Sequence, residues 1–199
     1  MRESGVGRVL VASLHQAIGD ILPTRLGFYE NWLTPEGLRD GTIGLPPLYA
    51  VLSFLRQEGP VYAEVARTAG AYAAEWTVAS MSPFKRSVIR RLPRFARRRI
   101  VLGRAAALVH MSYDGSRASS RTRKGVALVT VKASVFCSVR EPVAHALCGY
   151  YASAVERMLA LFEIETSVTV ESCRGTGDDS CVLRVPFTSV VDVAPAEVP

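Results

Sequence analysis

No apolar run in this 199-residue sequence approaches the roughly 18 residues that a membrane-spanning helix needs. The nearest thing to a leader, Val6–Ile21, is interrupted by His15, Gln16 and Asp20, so no export signal is expected. A cytoplasmic location with reduced thiols follows as the expectation. Cysteine is scarce: the four residues Cys137, Cys148, Cys173 and Cys181 are too few for a disulfide-dense scaffold. No Gly-x-Ser-x-Gly elbow is present to expose a nucleophile, which sets aside hydrolysis by Ser116, Ser119 or Ser120. No Gly-x-Gly-x-x-Gly follows a strand and opens a helix, so a nicotinamide site is not written here. Glu163 and Glu165 share the solvent side of a strand start and make no catalytic pair. These absences leave whether the chain is an enzyme open.

The most telling absence is of acid. From Trp76 to Tyr113 there is none, against nine Lys or Arg, whereas residues 1–75 hold six bases and eight acids and residues 125–199 hold five and nine. The net charge of +6 thus comes from one central segment in an otherwise mildly acidic chain. Such a segment is either a solvated helix face or a contact for a ligand carboxylate, a membrane surface or an acidic partner. No helix-turn-helix and no aromatic-interleaved basic sheet accompanies it, so nucleic acid is not expected.

What is present is ordinary globular composition, with 49% hydrophobic and 21% charged residues. A chain of this length buries roughly 70% of its unfolded surface and needs no covalent staples. The first two-thirds read as helices. Val6–Ile21 repeats at three- and four-residue steps up to Pro23, Thr34-Pro-Glu-Gly opens a short turn or helix, and Pro46–Gln57 and Pro60–Ser80 follow. Pro83 and Pro93 divide the basic region into a short helix and a longer one ending near Met111. After Tyr113 the period changes. Gly115–Arg123 and Val126–Val135 read as strands joined at Lys124-Gly125. Pro142–Phe162 reads as a helix, Ile164–Cys173 as a half-buried strand, and Cys181–Phe187 as its return. The expectation is an α+β fold: N-terminal helices packed on a C-terminal antiparallel four-stranded sheet with one inserted helix. Residues 1–45 are a helical lead-in, 46–187 the main domain, and 188–199 a frayed tail.

Cys173 and Cys181 flank a glycine-rich turn, so both thiols can converge at one end of a hairpin. Thiolates held this way suit a tetrahedral zinc ion, but buried core cysteines fit the spacing too. Beyond spacing, Glu171-x-Cys173-x3-Gly177-Asp178-x2-Cys181 resembles the terminal signature of the 4-vinyl reductase (4VR) domain family. Cys148-Gly149-Tyr150-Tyr151-Ala152-Ser153-Ala154 is similar to that family's cysteine-led helix. The basic stretch from Arg90-Arg91-Leu92-Pro93 to Tyr113 is most similar to the bacteriochlorophyll 4-vinyl reductase branch.

The resemblance implies a fold shared with transport-particle (TRAPP) subunits and phenol-responsive sensor domains, often homodimeric, with an apolar ligand pocket. It implies a structural zinc on Cys148, Cys173 and Cys181. The glutamate that completes the site in the sensors has no counterpart here, leaving Cys137, His145 or water as the fourth ligand. It also implies a function: binding a hydrophobic small molecule, foremost a tetrapyrrole intermediate of (bacterio)chlorophyll biosynthesis, and delivering it to a pathway enzyme. A dimeric sensor or interaction module and a true vinyl reductase are the alternatives. Candidate ligand contacts are Tyr62, Ala66, Ala69, Ala73 and Trp76, which share one helix face with small residues between rings. Arg90, Arg91 and Arg94 would meet carboxylates or a peripheral membrane contact, and His110 is a candidate axial ligand or proton donor.

Overall fold

The computed structural model describes residues 5–187; the tail from residue 188 on lies outside them. Helix α1 (Arg8–Ile21) buries Leu10, Leu14, Ala17 and Ile18, the residues spaced at helical steps. Pro23 stops it, and a 3-10 turn (Pro23–Arg25) leads into the short α2 (Leu26–Tyr29). Thr34 caps α3 (Pro35–Asp40): its Oγ1 accepts the Gly37 N–H at 3.1 Å, and Pro35 occupies the first position, where no N–H is needed. Next come α4 (Leu45–Gln57) and α5 (Pro60–Ala79), then α6 (Pro83–Arg91) and α7 (Arg94–Ser112), which meet at Leu92-Pro93.

The sheet contains β1 (Arg117–Arg123), β2 (Val126–Lys132), β3 (Thr169–Ser172) and β4 (Cys181–Pro186). All neighbours are antiparallel, in the order β1-β2-β4-β3. Lys124 and Gly125 both take positive φ (48° and 77°), the geometry of a two-residue hairpin turn. Period-two alternation buries Ala127, Val129 and Val131 on β2 and Cys181, Leu183 and Val185 on β4, while Leu128 and Arg184 face outward. Helix α8 (Gly149–Ala160) is inserted between β2 and β3. The fold is α+β.

Two boundaries differ most from the sequence reading. The inserted helix begins at Gly149 rather than Pro142, because the backbone before it bonds elsewhere: Val143 N–H donates to the Gly175 carbonyl and Leu147 N–H to Cys173 Sγ. Strand β3 begins at Thr169 rather than Ile164. Residues 164–168 are off the ladder, and Val168 N–H donates to the Glu156 carboxylate at 2.8 Å.

Helix α7 packs against β1 and α8, and α5 packs against α8 and α1. The contact between α5 and α8 is backbone-close: a Cβ on Gly70 would lie 2.1 Å from the Tyr150 carbonyl oxygen. Tyr62 bonds to Leu147 before α8, and Glu75 pairs with Arg157 near its end, so the two helices run parallel. Leu10 of α1, Val65 of α5, Tyr150 of α8 and Leu183 of β4 belong to one continuous core.

Candidate metal centre

Four separate pieces of chain each deliver one thiol. Cys137 ends a 3-10 turn after β2, Cys148 caps α8, Cys173 follows β3, and Cys181 opens β4. All four are buried free thiols, with ligand atoms within 4.8 Å of one another. Cys137 Sγ lies 3.1, 3.5 and 3.4 Å from the sulfurs of Cys148, Cys173 and Cys181. Cys148 lies 3.3 Å from Cys173 and 2.7 Å from Cys181. Metal–sulfur bonds of about 2.3 Å in a tetrahedron put the sulfurs about 3.8 Å apart. The sulfurs sit closer than that, the Cys148–Cys181 pair at 2.7 Å most of all, and farther apart than in a disulfide, for which S–S is about 2.0 Å. The donor set therefore fits a tetrahedral four-thiolate ion, the geometry of zinc or iron–sulfur coordination.

The turn around the cysteines explains the spacing. Gly177 sits at φ +104°, a conformation that strains any residue with a Cβ. Asp178 Oδ2 accepts the Cys173 N–H at 2.9 Å and a hydroxyl hydrogen bond from Thr176, fixing the loop. Gly175 leaves room for Leu147, whose side chain a Cβ there would meet at 2.9 Å. Backbone donors point at sulfur: Leu147 N–H reaches Cys173 at 3.3 Å and Arg174 N–H reaches Cys181 at 3.4 Å. Hydrogen bonds from Cys137, Cys148 and Cys181, then from Leu147, hold the Cys173 thiol well below its ordinary range. Contacts with Cys137, Cys173 and Cys181, together with burial, push Cys148 up. Hydrogen bonding with Cys148 draws Cys137 down as well, and coordination of an ion would deprotonate the thiols.

His145 is not part of this cluster. It lies on a cleft of about 420 Å³ beside the centre, between the start of α5 and the 143–147 segment. Tyr62 links the cleft's two walls by donating to the Leu147 carbonyl at 3.0 Å, and burial pushes its phenol pKa up. Arg56 lines the same cleft, and its Nη1 is buried with no hydrogen-bond partner among the described residues. Sequence reading passed over Arg56, since nothing about a lone arginine near the end of an apolar helix marks it out.

The other candidate residues are scattered. Tyr62 is in the cleft, but Ala66, Ala69 and Ala73 are buried on α5, whose small-residue surface meets α8 and α1. In this structure a neighbouring helix occupies the space expected for a flat guest. Trp76 is 36% exposed and stacks on Tyr72. Arg90 donates to the Leu161 carbonyl just past the end of α8, while Cys148 caps its start. The 12 residues of α8 set those points about 18 Å apart. Arg91 and Arg94 lie on the same distant corner, exposed. His110 is exposed at the end of α7, and its Nδ1 lies 3.1 Å from the Ser116 carbonyl.

No protein-family model matches this chain, and no curated protein matches it.

Proposed function

We propose that the chain is a small-molecule-binding module of the 4VR type, with a structural zinc on Cys137, Cys148, Cys173 and Cys181. Its cargo is a hydrophobic molecule bearing a carboxylate, and a tetrapyrrole intermediate of (bacterio)chlorophyll biosynthesis is the candidate that combines those properties. The carrying observation is Arg56, which lines an apolar cleft whose far wall is tied to the cysteine cluster and whose buried Nη1 has no hydrogen-bond partner among the described residues. A buried guanidinium nitrogen without an acceptor is costly, and a ligand carboxylate relieves that cost with a charge-assisted hydrogen bond. Zinc supplies rigidity here. It holds Cys148 and Cys173 together, and with them Leu147, so the cleft is preformed. A cleft of about 420 Å³ lies within the range of small-molecule sites.

The test is a titration with chlorophyllide or Mg-protoporphyrin. A Soret shift or fluorescence quenching at micromolar protein, weakened about tenfold or more in Arg56→Gln, is expected when a charged hydrogen bond is lost. No spectral change at those concentrations excludes the tetrapyrrole. An unchanged affinity in Arg56→Gln excludes the cleft as its site.

A further inference from the structure

Helices α6 and α7, which meet at Leu92-Pro93, carry large apolar side chains in the open. Phe84 and Phe95 are 78% and 77% exposed, and Val88 and Ile100 are 42% and 39% exposed. Phe84 and Val88 are one turn apart on α6, on the side away from its buried residue Ile89. Phe95 lies in the first turn of α7, just across Leu92-Pro93. Neither Phe84 nor Phe95 pairs with another aromatic ring among the described residues, in contrast to Phe28, which contacts Tyr29, Trp32 and Phe54.

Lys85, Arg91, Arg94 and Arg99 belong to the same two helices, and all are exposed. Two of the segment's other arginines turn inward instead. Arg97 bonds to the Arg90 carbonyl and the Glu163 carboxylate, and Arg98 lies over the Phe187 ring. Of the nine basic side chains in the segment, only Arg97 has an acidic partner among the described residues. The outward set is thus cationic and apolar together. No helix among the described residues is long and apolar enough to cross a membrane.

We propose that this corner docks on an anionic phospholipid surface. Phe84 and Phe95 enter the boundary between headgroups and acyl chains, while Lys85, Arg91, Arg94 and Arg99 meet the lipid phosphates. A bilayer offers both halves of the complement: laterally spread negative charge, and an apolar layer directly beneath it. Duplex nucleic acid offers the charge, but its bases are stacked inside and give the two phenylalanines nowhere to go. The surface lies at the opposite end of α8 from the cleft, so it stands or falls independently of what the cleft binds.

The test is flotation of the full chain with vesicles. Those of phosphatidylcholine containing about one-third phosphatidylglycerol should carry the protein, and pure phosphatidylcholine vesicles should not. Raising the salt to about 0.5 M should weaken binding, as should the charge pair Arg91→Glu, Arg94→Glu. The double variant Phe84→Ser, Phe95→Ser should bind at least about tenfold more weakly while keeping its circular dichroism, since both rings are on the surface. Failure to float with anionic vesicles at low salt overturns the proposal. So does full binding by the double phenylalanine variant, or displacement from vesicles by an equimolar RNA oligonucleotide.

Discussion

Cys137 and His145 are both buildable as a fourth ligand on chemistry alone, and backbone placement separates them. Cys137 arrives from the turn after β2 and lies within 3.5 Å of the other three sulfurs, while His145 lines the adjacent cleft. As ordinary core residues, each cysteine replaced by alanine would cost about 1–2 kcal/mol. As metal ligands they share a binding energy of about 10–16 kcal/mol in small structural zinc sites, as large as the whole stability of a domain. Cys137→Ala is therefore expected to lower the unfolding free energy by about 3 kcal/mol or more, like Cys173→Ala. His145→Ala should change it by less than about 1 kcal/mol. Denaturant unfolding checks this, and a mild Cys137→Ala beside a severe His145→Ala would reverse the assignment. Cys173 and Cys181 were legible as a pair because a glycine-rich turn lies between them, whereas Cys148 entered only through the resemblance to the 4VR pattern. Cys137 joins through a tertiary approach that no local pattern announces.

Among the helices, the α5–α8 contact does most to fix the arrangement. Gly70 lets the two backbones touch, and the pairs Glu75–Arg157 and Arg67–Glu156 sit at its solvent margin, where they add little. In a free helix, Gly→Ala gains about 1 kcal/mol. Gly70→Ala should instead lose several kcal/mol, because a methyl group cannot share space with the Tyr150 carbonyl and two helices must separate. Thermal unfolding reads the sign directly, and a stabilised variant would mean that the helices do not approach this closely. Helices α1, α4, α5, α6 and α7 could be read from the sequence because their apolar period is regular and prolines mark their starts or the corners between them. The stretch 142–148 was misread as helix for a physical reason. Its apolar residues, Val143 and Leu147 among them, are spaced as on a helix, but their backbone donors are taken by Gly175 and Cys173. The small face of α5 was visible too, but small residues suit a close-packed helix as well as a flat ligand, and pattern alone does not choose.

Across the molecule, the two ends of the parallel α5–α8 pair have different characters. One end holds the thiol cluster, the cleft and Arg56; the other holds the basic corner with Phe84 and Phe95. The uneven charge along the sequence becomes a spatial separation once α6 and α7 fold back past the end of α8. The cysteine cluster joins the turn after β2, the start of α8 and the β3–β4 hairpin, segments separated by up to 44 positions in sequence. An ion there closes the C-terminal half of the chain upon itself, and its binding energy becomes folding energy because the unfolded chain has no preformed site. The most direct test is elemental analysis of protein purified without chelator. About one equivalent of zinc per chain, lost together with the folded state when a strong chelator is added, is the predicted result. Less than about a tenth of an equivalent, in protein that is nonetheless folded and stable, would contradict the account.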